Sequence, residues 1–278
     1  MKSDDLAARA TPPLRVWAAD WGNSCCLLLV LWALCYLGLM SFVHDTTWWH
    51  VTKAVSFLPM NAGVAVLALR ASRRPDTDAR FRKALHLFGI AFGCVFIGNS
   101  VAFYERFVRE NNPLVAWTNI LYFGLYVFGL AALLSLPLAR RVHNEYRKFL
   151  LDAATVIVAG GLADWFLIIV PTNQYELGGL AGAFWALAYP IAALLLVLGV
   201  VTAILRRPTL RNPRASNMLL AGMVLYLSSD LANDLTILEH GWGGVSFTDV
   251  TYMAAYVTIA FAFALYYWKP PIVVDEED

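Results

Sequence analysis

The chain has 278 residues, of which 59% are hydrophobic and only 15% charged, and its formal net charge is +1. Soluble globular domains run at about 45–50% apolar and about 25% charged, so a soluble enzyme of this size is excluded, and 18 glycines and 12 prolines exclude a collagen-like or disordered chain. A near-neutral chain offers no basic surface for nucleic acid, which is not expected as a partner. What remains is a polytopic membrane protein with a mean hydropathy of +0.59.

Residues 1–23 carry Asp4, Asp5, Pro12 and Pro13 and read as a short tail. The apolar run that follows is too long for a signal peptide and lacks a small-residue exit, so no cleavage is expected. A bilayer core about 30 Å thick needs about 20 mostly apolar residues per helix. Eight such runs follow in order, near 24–43, 51–70, 84–104, 115–139, 150–170, 181–205, 216–238 and 248–268. They are too long and continuous for barrel strands, so the predicted class is all-α. Residues 269–278 form an acidic tail ending in Asp275, Glu276, Glu277 and Asp278.

Lysine and arginine set the orientation. The tail before span 1 holds Lys2, Arg9 and Arg15, and the loop after span 2 holds Arg70, Arg73, Arg74, Arg80, Arg82 and Lys83. Arg140, Arg141, Arg147 and Lys148 follow span 4; Arg206, Arg207, Arg211 and Arg214 follow span 6; Lys269 follows span 8. Only Lys53, Arg106 and Arg109 fall on the other side. Both termini are therefore expected in the cytoplasm, with the protein multi-pass in the inner (plasma) membrane. Trp17, Trp21 and Trp268 would mark the cytoplasmic interface, and Trp48, Trp49 and Trp242 the outer one.

The chain repeats itself. Pro59 is echoed by Pro190 at an offset of 131, within Phe57-Leu58-Pro59 and Ala188-Tyr189-Pro190. Arg73-Arg74-Pro75 is echoed by Arg206-Arg207-Pro208, Asn99 by Asp230, and Trp32 by Trp165. Asn119, Tyr122 and Tyr126 are echoed by Asp249, Tyr252 and Tyr256 at a constant offset of 130. Two four-span halves, 24–139 and 150–268, would each enter and leave on the same side. The duplication is then a parallel repeat about an axis along the membrane normal. Paired kinks at Pro59 and Pro190 are expected.

Polar groups inside a membrane are costly and face a bundle interior or a cavity. Here they are Asn61, Asn99, Asp164, Asp230, Asn233 and Asp234, with Asn119 and Asp249 at span starts. Asp230, Asn233 and Asp234 share a helix face by their spacing. So do Asn119 with Tyr122 and Tyr126, and Asp249 with Tyr252 and Tyr256. Nearly all fall late in outward spans or early in inward ones, in the outer half of the bilayer. Two readings stay open. One is interhelical hydrogen bonding that glues the halves together, at about 0.6 kcal/mol per bond. The other is a ligand or ion cavity lined by Asn99, Asn119, Tyr122, Asp164, Tyr189, Asp230, Asn233, Asp234, Asp249, Tyr252 and Tyr256.

No catalytic or metal constellation appears. His44, His50, His86, His143 and His240 show no ligand spacing, and only His86 lies within a span, so neither a metal site nor haem is expected. Cys25, Cys26, Cys35 and Cys94 all lie in spans and make no disulfide framework. No span has a central lysine for a retinal Schiff base, and no phosphate loop, HExxH or GxSxG is present. No cofactor and no enzymatic activity are expected.

Four stretches carry a family resemblance: Gly98-Asn99 through Tyr104-Glu105; Leu151-Asp152-Ala153 with Trp165-Phe166-Leu167 and Pro171-Thr172; Ala188-Tyr189-Pro190; and Asp230 with Asp249 and Tyr256. Over most of residues 84–268 the chain resembles the multi-span N-terminal sensor region of bacterial signalling proteins. These are cyclic-di-GMP enzymes with GGDEF or EAL output domains, and sensor histidine kinases. It departs where the family often has Asp, with Ile191, Ala192, Ala193 and Leu194 after Tyr189-Pro190, and with Asn99 and Asn119. The resemblance implies a sensory input module. No output domain is expected in this chain, which reads as a stand-alone module or a fragment of a longer signalling protein.

The expected function is a non-enzymatic sensory or signal-relay module that reads a ligand or membrane condition in the outer half and passes it to a cytoplasmic signalling partner. The alternatives are a small-solute or ion transporter, which should also show polar groups in the cytoplasmic half, and an accessory subunit of a larger membrane complex.

Overall fold

In a computed structural model the described residues are 21–40, 42, 46–75, 77–109, 116–137, 151, 154–155, 157–162, 165–166, 180–206, 213–240 and 247–268. Seven long helices run through them: α1 Trp21–Met40, α2 Thr46–Ser72, α3 Ala79–Phe107, α4 Ala116–Ser135, α5 Leu180–Arg206, α6 Pro213–His240 and α7 Phe247–Trp268. No strand occurs among the described residues. Six of the helices are long and apolar enough to cross a membrane. The seventh, α6, has 28 residues but carries Ser228, Ser229, Asp230, Asn233, Asp234 and Glu239 in its second half. The least apolar helix is thus the one that carries Asp230.

Seven of the eight predicted spans coincide with a helix. α2 and α3 run several residues past the predicted ends, and α4 stops at Ser135 rather than 139. The apolar criterion sees only the part of a helix that lies in hydrocarbon, whereas helices continue into the interface until a cap or a proline stops them. At α3 the stop is visible, because the Asp78 side chain accepts from the backbone N–H of Arg80 and Phe81. Of the fifth predicted span, 150–170, only part is described. Those residues are helical, and Gly160 sits close enough to Leu194 of α5 that a Cβ would fall 2.6 Å from a Leu194 methyl.

Short connections make neighbours antiparallel, and contacts between non-neighbours fix the two ends. At one end, called upper here, α1, α3 and α6 finish while α2, α4, α5 and α7 begin. The helix pairs α2–α3, α3–α4 and α6–α7 pack along their lengths. Two further contacts cross the middle: α2 lies on α7, and α4 lies on α5, while α1 packs on both α2 and α7. Gly222 makes the α6–α7 approach possible, since a Cβ there would sit 2.5 Å from Ile259 Cγ1 and 3.2 Å from the Ile259 nitrogen. Small residues at such crossings let backbones close up and gain dispersion contacts.

The lower half of the bundle is apolar. Val64, Leu67, Ala68, Phe81, Leu85, Phe88, Ile259 and Phe263 are fully buried. Phe88 meets Phe263 at 5.8 Å and Phe81 meets Tyr266 at 4.5 Å between ring centroids. A polar bond that joins two helices here is the Tyr266 hydroxyl donating to Ser216 Oγ at 2.8 Å. α2 and α5 are continuous through Pro59 and Pro190, so each proline leaves the carbonyl four residues earlier without its helical N–H.

Candidate functional site

The upper half holds a polar and aromatic cluster, built hairpin by hairpin. In α3–α4 the Tyr122 hydroxyl donates to Asn99 Oδ1 at 2.7 Å. In α6–α7 the Tyr252 hydroxyl donates to Asp230 Oδ1 at 2.6 Å. In each hairpin a tyrosine on the second helix thus reaches a polar side chain on the first. The other oxygen of Asp230, Oδ2, accepts from the Tyr126 hydroxyl of α4, a short bond that ties α4 to α6. Asp230 therefore has both oxygens engaged by phenols from two different helices.

Nearer the upper ends the pattern repeats with different chemistry. The Tyr189 hydroxyl of α5 points at Asn119, 3.0 Å from its carbonyl and 3.2 Å from Oδ1. Asp249 of α7 is fully buried, and Lys53 Nζ of α2 pairs with its Oδ1 at 2.8 Å. The Tyr36 hydroxyl of α1 faces the same carboxylate. Neither Tyr36 nor Asp249 Oδ2 closes a hydrogen bond among the described residues. A buried carboxylate in an apolar bundle needs a counter-charge or a proton, and Lys53 supplies the charge.

Aromatic rings fill the space between these bonds. Tyr226, one turn before Asp230, stands edge-on to Tyr252 at 5.4 Å and to Tyr256 at 5.7 Å. Phe57 of α2 touches Tyr252 at 6.0 Å and Tyr256 at 6.1 Å. Across the bundle Tyr189 meets Tyr126 at 6.0 Å and Trp185 at 5.7 Å. Edge-to-face pairs of this kind add about 0.5–1.5 kcal/mol each beyond burial. Asn61, fully buried on α2, donates to its own helix at Phe57 O, and its Oδ1 has no partner among the described residues.

Of the residues expected to line the site, Asn99, Asn119, Tyr122, Tyr189, Asp230, Asp249 and Tyr252 enter this network, and Tyr256 enters through its ring. Asn233 is half-buried on α6 and makes no side-chain hydrogen bond among the described residues. Asp164 and the side chain of Asp234 lie outside the described residues. Tyr126, noted in the sequence for the repeat and not for the site, bridges α4 to α6. Lys53 and Tyr36 were missed. Lys53 stood out only as one of three basic residues on the sparse side, and nothing in the local sequence marks Tyr36. Among the described residues no group of His, Cys, Asp and Glu could hold a metal ion.

The fold and cluster together define an all-helical protein of membrane type with a hydrogen-bonded polar core in one half. Compared with protein-family models, curated proteins and solved structures, the chain matches none of them.

Proposed function

We propose that this is a non-enzymatic inner-membrane sensory or signal-relay module. In this reading eight spans form two parallel four-helix repeats with both termini cytoplasmic, and the upper half faces outward. The observation that carries it is the cluster itself. Polar contacts from both halves converge there, and three of them join the halves directly: Tyr126 to Asp230, Lys53 to Asp249 and Tyr189 to Asn119. The matched bonds Tyr122–Asn99 and Tyr252–Asp230 support the duplication, as do the matched contacts of α2 on α7 and α5 on α4.

A ligand or membrane condition shifts such a pair of halves only if it favours one arrangement over the other. Contacts that join the halves through single hydroxyl and ammonium groups give it something to compete with. The lower half is filled by Leu67, Leu85, Phe88 and Phe263, and its buried polar groups among the described residues, such as Ser72, Thr202 and Ser216, are neutral hydroxyls, which favours relay over transport. Motion of α2–α3 and α5–α6 would then be read on the basic loops by a cytoplasmic signalling partner.

The test is extraction in mild detergent from native membranes followed by mass spectrometry. A cyclase, phosphodiesterase or kinase at stoichiometric level is expected, with output altered by Asp230→Asn in intact membranes. Solute uptake into proteoliposomes with no such partner would overturn the relay in favour of a transporter.

A further inference from the structure

At the lower end of the α3–α4 hairpin a groove of about 320 Å³ opens between the start of α3 and the end of α4, lined by Arg80, Lys83, Leu134, Ser135 and Leu136. Both cations are exposed, and neither has an acidic partner among the described residues. The carboxylate of Asp78, two residues before Arg80, is turned to the backbone N–H of Arg80 and Phe81 as the helix cap. Above the groove the hairpin presents an apolar lane. Leu134, Val127 and Ile120 recur every seven residues on one face of α4, each about half exposed or more. On α3 the face that begins at Lys83 continues through Ile90 to the exposed Ile97. Between the last two, a Cβ on Gly93 would meet nothing within 4 Å, which leaves a notch in that face.

We infer that this groove is a binding site for an anionic phospholipid, with the phosphate held between Arg80 and Lys83 and an acyl chain lying along Leu134 and Val127. It rests on the helices spanning a bilayer and not on the relay. Two cations without acidic partners match a phosphodiester, and basic pockets between helices on the positively charged side of a membrane protein take anionic headgroups. The apolar lane runs directly from those cations. From Leu134 to Ile120 it extends about 21 Å at the helical rise, longer than the roughly 15 Å of hydrocarbon in one leaflet. A free phosphate has no use for such a lane, whereas a lipid uses both parts at once.

The test uses the full chain in mild detergent, with native mass spectrometry and titration of phosphatidylglycerol against phosphatidylcholine. The expected result is preferential retention of phosphatidylglycerol. Each basic residue near an anionic group is worth roughly fivefold in affinity, so Arg80→Gln with Lys83→Gln should weaken that retention about thirtyfold. Arg106→Gln, at the opposite end of α3, should leave it unchanged. Both target side chains are exposed, so the melting temperature should hold in all variants. Equal retention of phosphatidylcholine, or equal loss in the Arg106 variant, would overturn the site. So would full displacement of the lipid by millimolar inorganic phosphate, which would leave only a site for small anions.

Discussion

The α3–α4 and α6–α7 hairpins make the same bond to different acceptors. The Tyr122 hydroxyl donates a hydrogen bond to the amide oxygen of Asn99, and the Tyr252 hydroxyl donates one to the carboxyl group of Asp230. The first bond stays within its hairpin. The second shares its acceptor with Tyr126 from the other hairpin. One level higher the contrast returns, with neutral Asn119 met by a tyrosine and ionic Asp249 met by a lysine. The tyrosine-to-polar bond is therefore a packing device that both hairpins use. Acidic side chains stand at these positions only in the second hairpin, where it meets α4 and α2. Neutral polar groups suffice to hold two helices together, whereas a carboxylate inside a membrane is costly enough to imply a further role.

The largest effect should come from breaking the ionic contact. Lys53→Met leaves Asp249 buried without its counter-charge, and breaking a buried pair in this way costs about 3–5 kcal/mol. Lys53 is 26% exposed, so the low end, about 3 kcal/mol, is expected. Asp249→Leu in the same chain should recover most of it, because a buried pair is often replaceable by apolar residues. Unfolding free energies in detergent micelles for the two single variants and the double variant test this. If Lys53→Met alone is neutral, the two halves are not joined by charge.

Exchanging the acceptors sharpens the comparison. Asn99→Asp places a carboxyl group where one phenol donates to it, and should cost about 2–3 kcal/mol. Asp230→Asn keeps an acceptor for one tyrosine and makes the second hairpin chemically like the first. It should cost no more than about 1 kcal/mol while altering relay output. Equal costs for the two exchanges, measured by the same unfolding assay, would mean that the hairpins differ in sequence but not in function.

Much of this was legible in the sequence, and the physical reason is periodicity. Seven helices follow from apolar runs, because the bilayer imposes both length and composition. The matched stripes at Asn119 and Asp249 follow from spacings of three and four residues on one helix face. Within a hairpin, the loop length confines which residues can meet, so Tyr122 with Asn99 was within reach of inspection. Contacts between distant helices carry no such signal. Lys53 and Asp249 are far apart in the chain, and Tyr36 reaches the same carboxylate from a helix that shows only apolar pattern. Tyr226 could have been found, since it lies four residues before Asp230 and so on the same face. The ends of α2, α3 and α4 shifted because caps and interfaces, not hydropathy, decide where a helix stops.

Packing gives the next prediction. Gly222 of the second hairpin approaches the backbone of Ile259, whereas Gly98 of the first approaches only side-chain atoms of Tyr122 and Leu121. Side chains give way more easily than a backbone nitrogen. Gly222→Ala should therefore cost about 2 kcal/mol by overpacking, and Gly98→Ala less, with Tyr122 displaced from Asn99. Melting temperatures of the two variants in the same detergent decide it, and a larger fall for Gly98→Ala would reverse the assignment of the tighter crossing.

The smallest effect concerns how each half holds its first span. Trp32 Nε1 of α1 donates to the carbonyl of Ser56 on α2 at 2.9 Å. Trp165, which the sequence pairs with Trp32, is half exposed and makes no such bond among the described residues. Trp32→Phe keeps an aromatic ring and removes the donor, so the loss should be close to that of one membrane hydrogen bond, about 0.6 kcal/mol. Trp165→Phe should be silent by the same assay. The bond lands within a turn of Pro59, where α2 already lacks one helical N–H, so the indole braces the stretch of α2 that also carries Phe57 into the cluster. A measurable loss from Trp32→Phe beside a silent Trp165→Phe would mean that the first half anchors its outer helix to the site. Equal losses would mean that the two first spans are held alike, and that the asymmetry of the molecule is confined to its carboxylates.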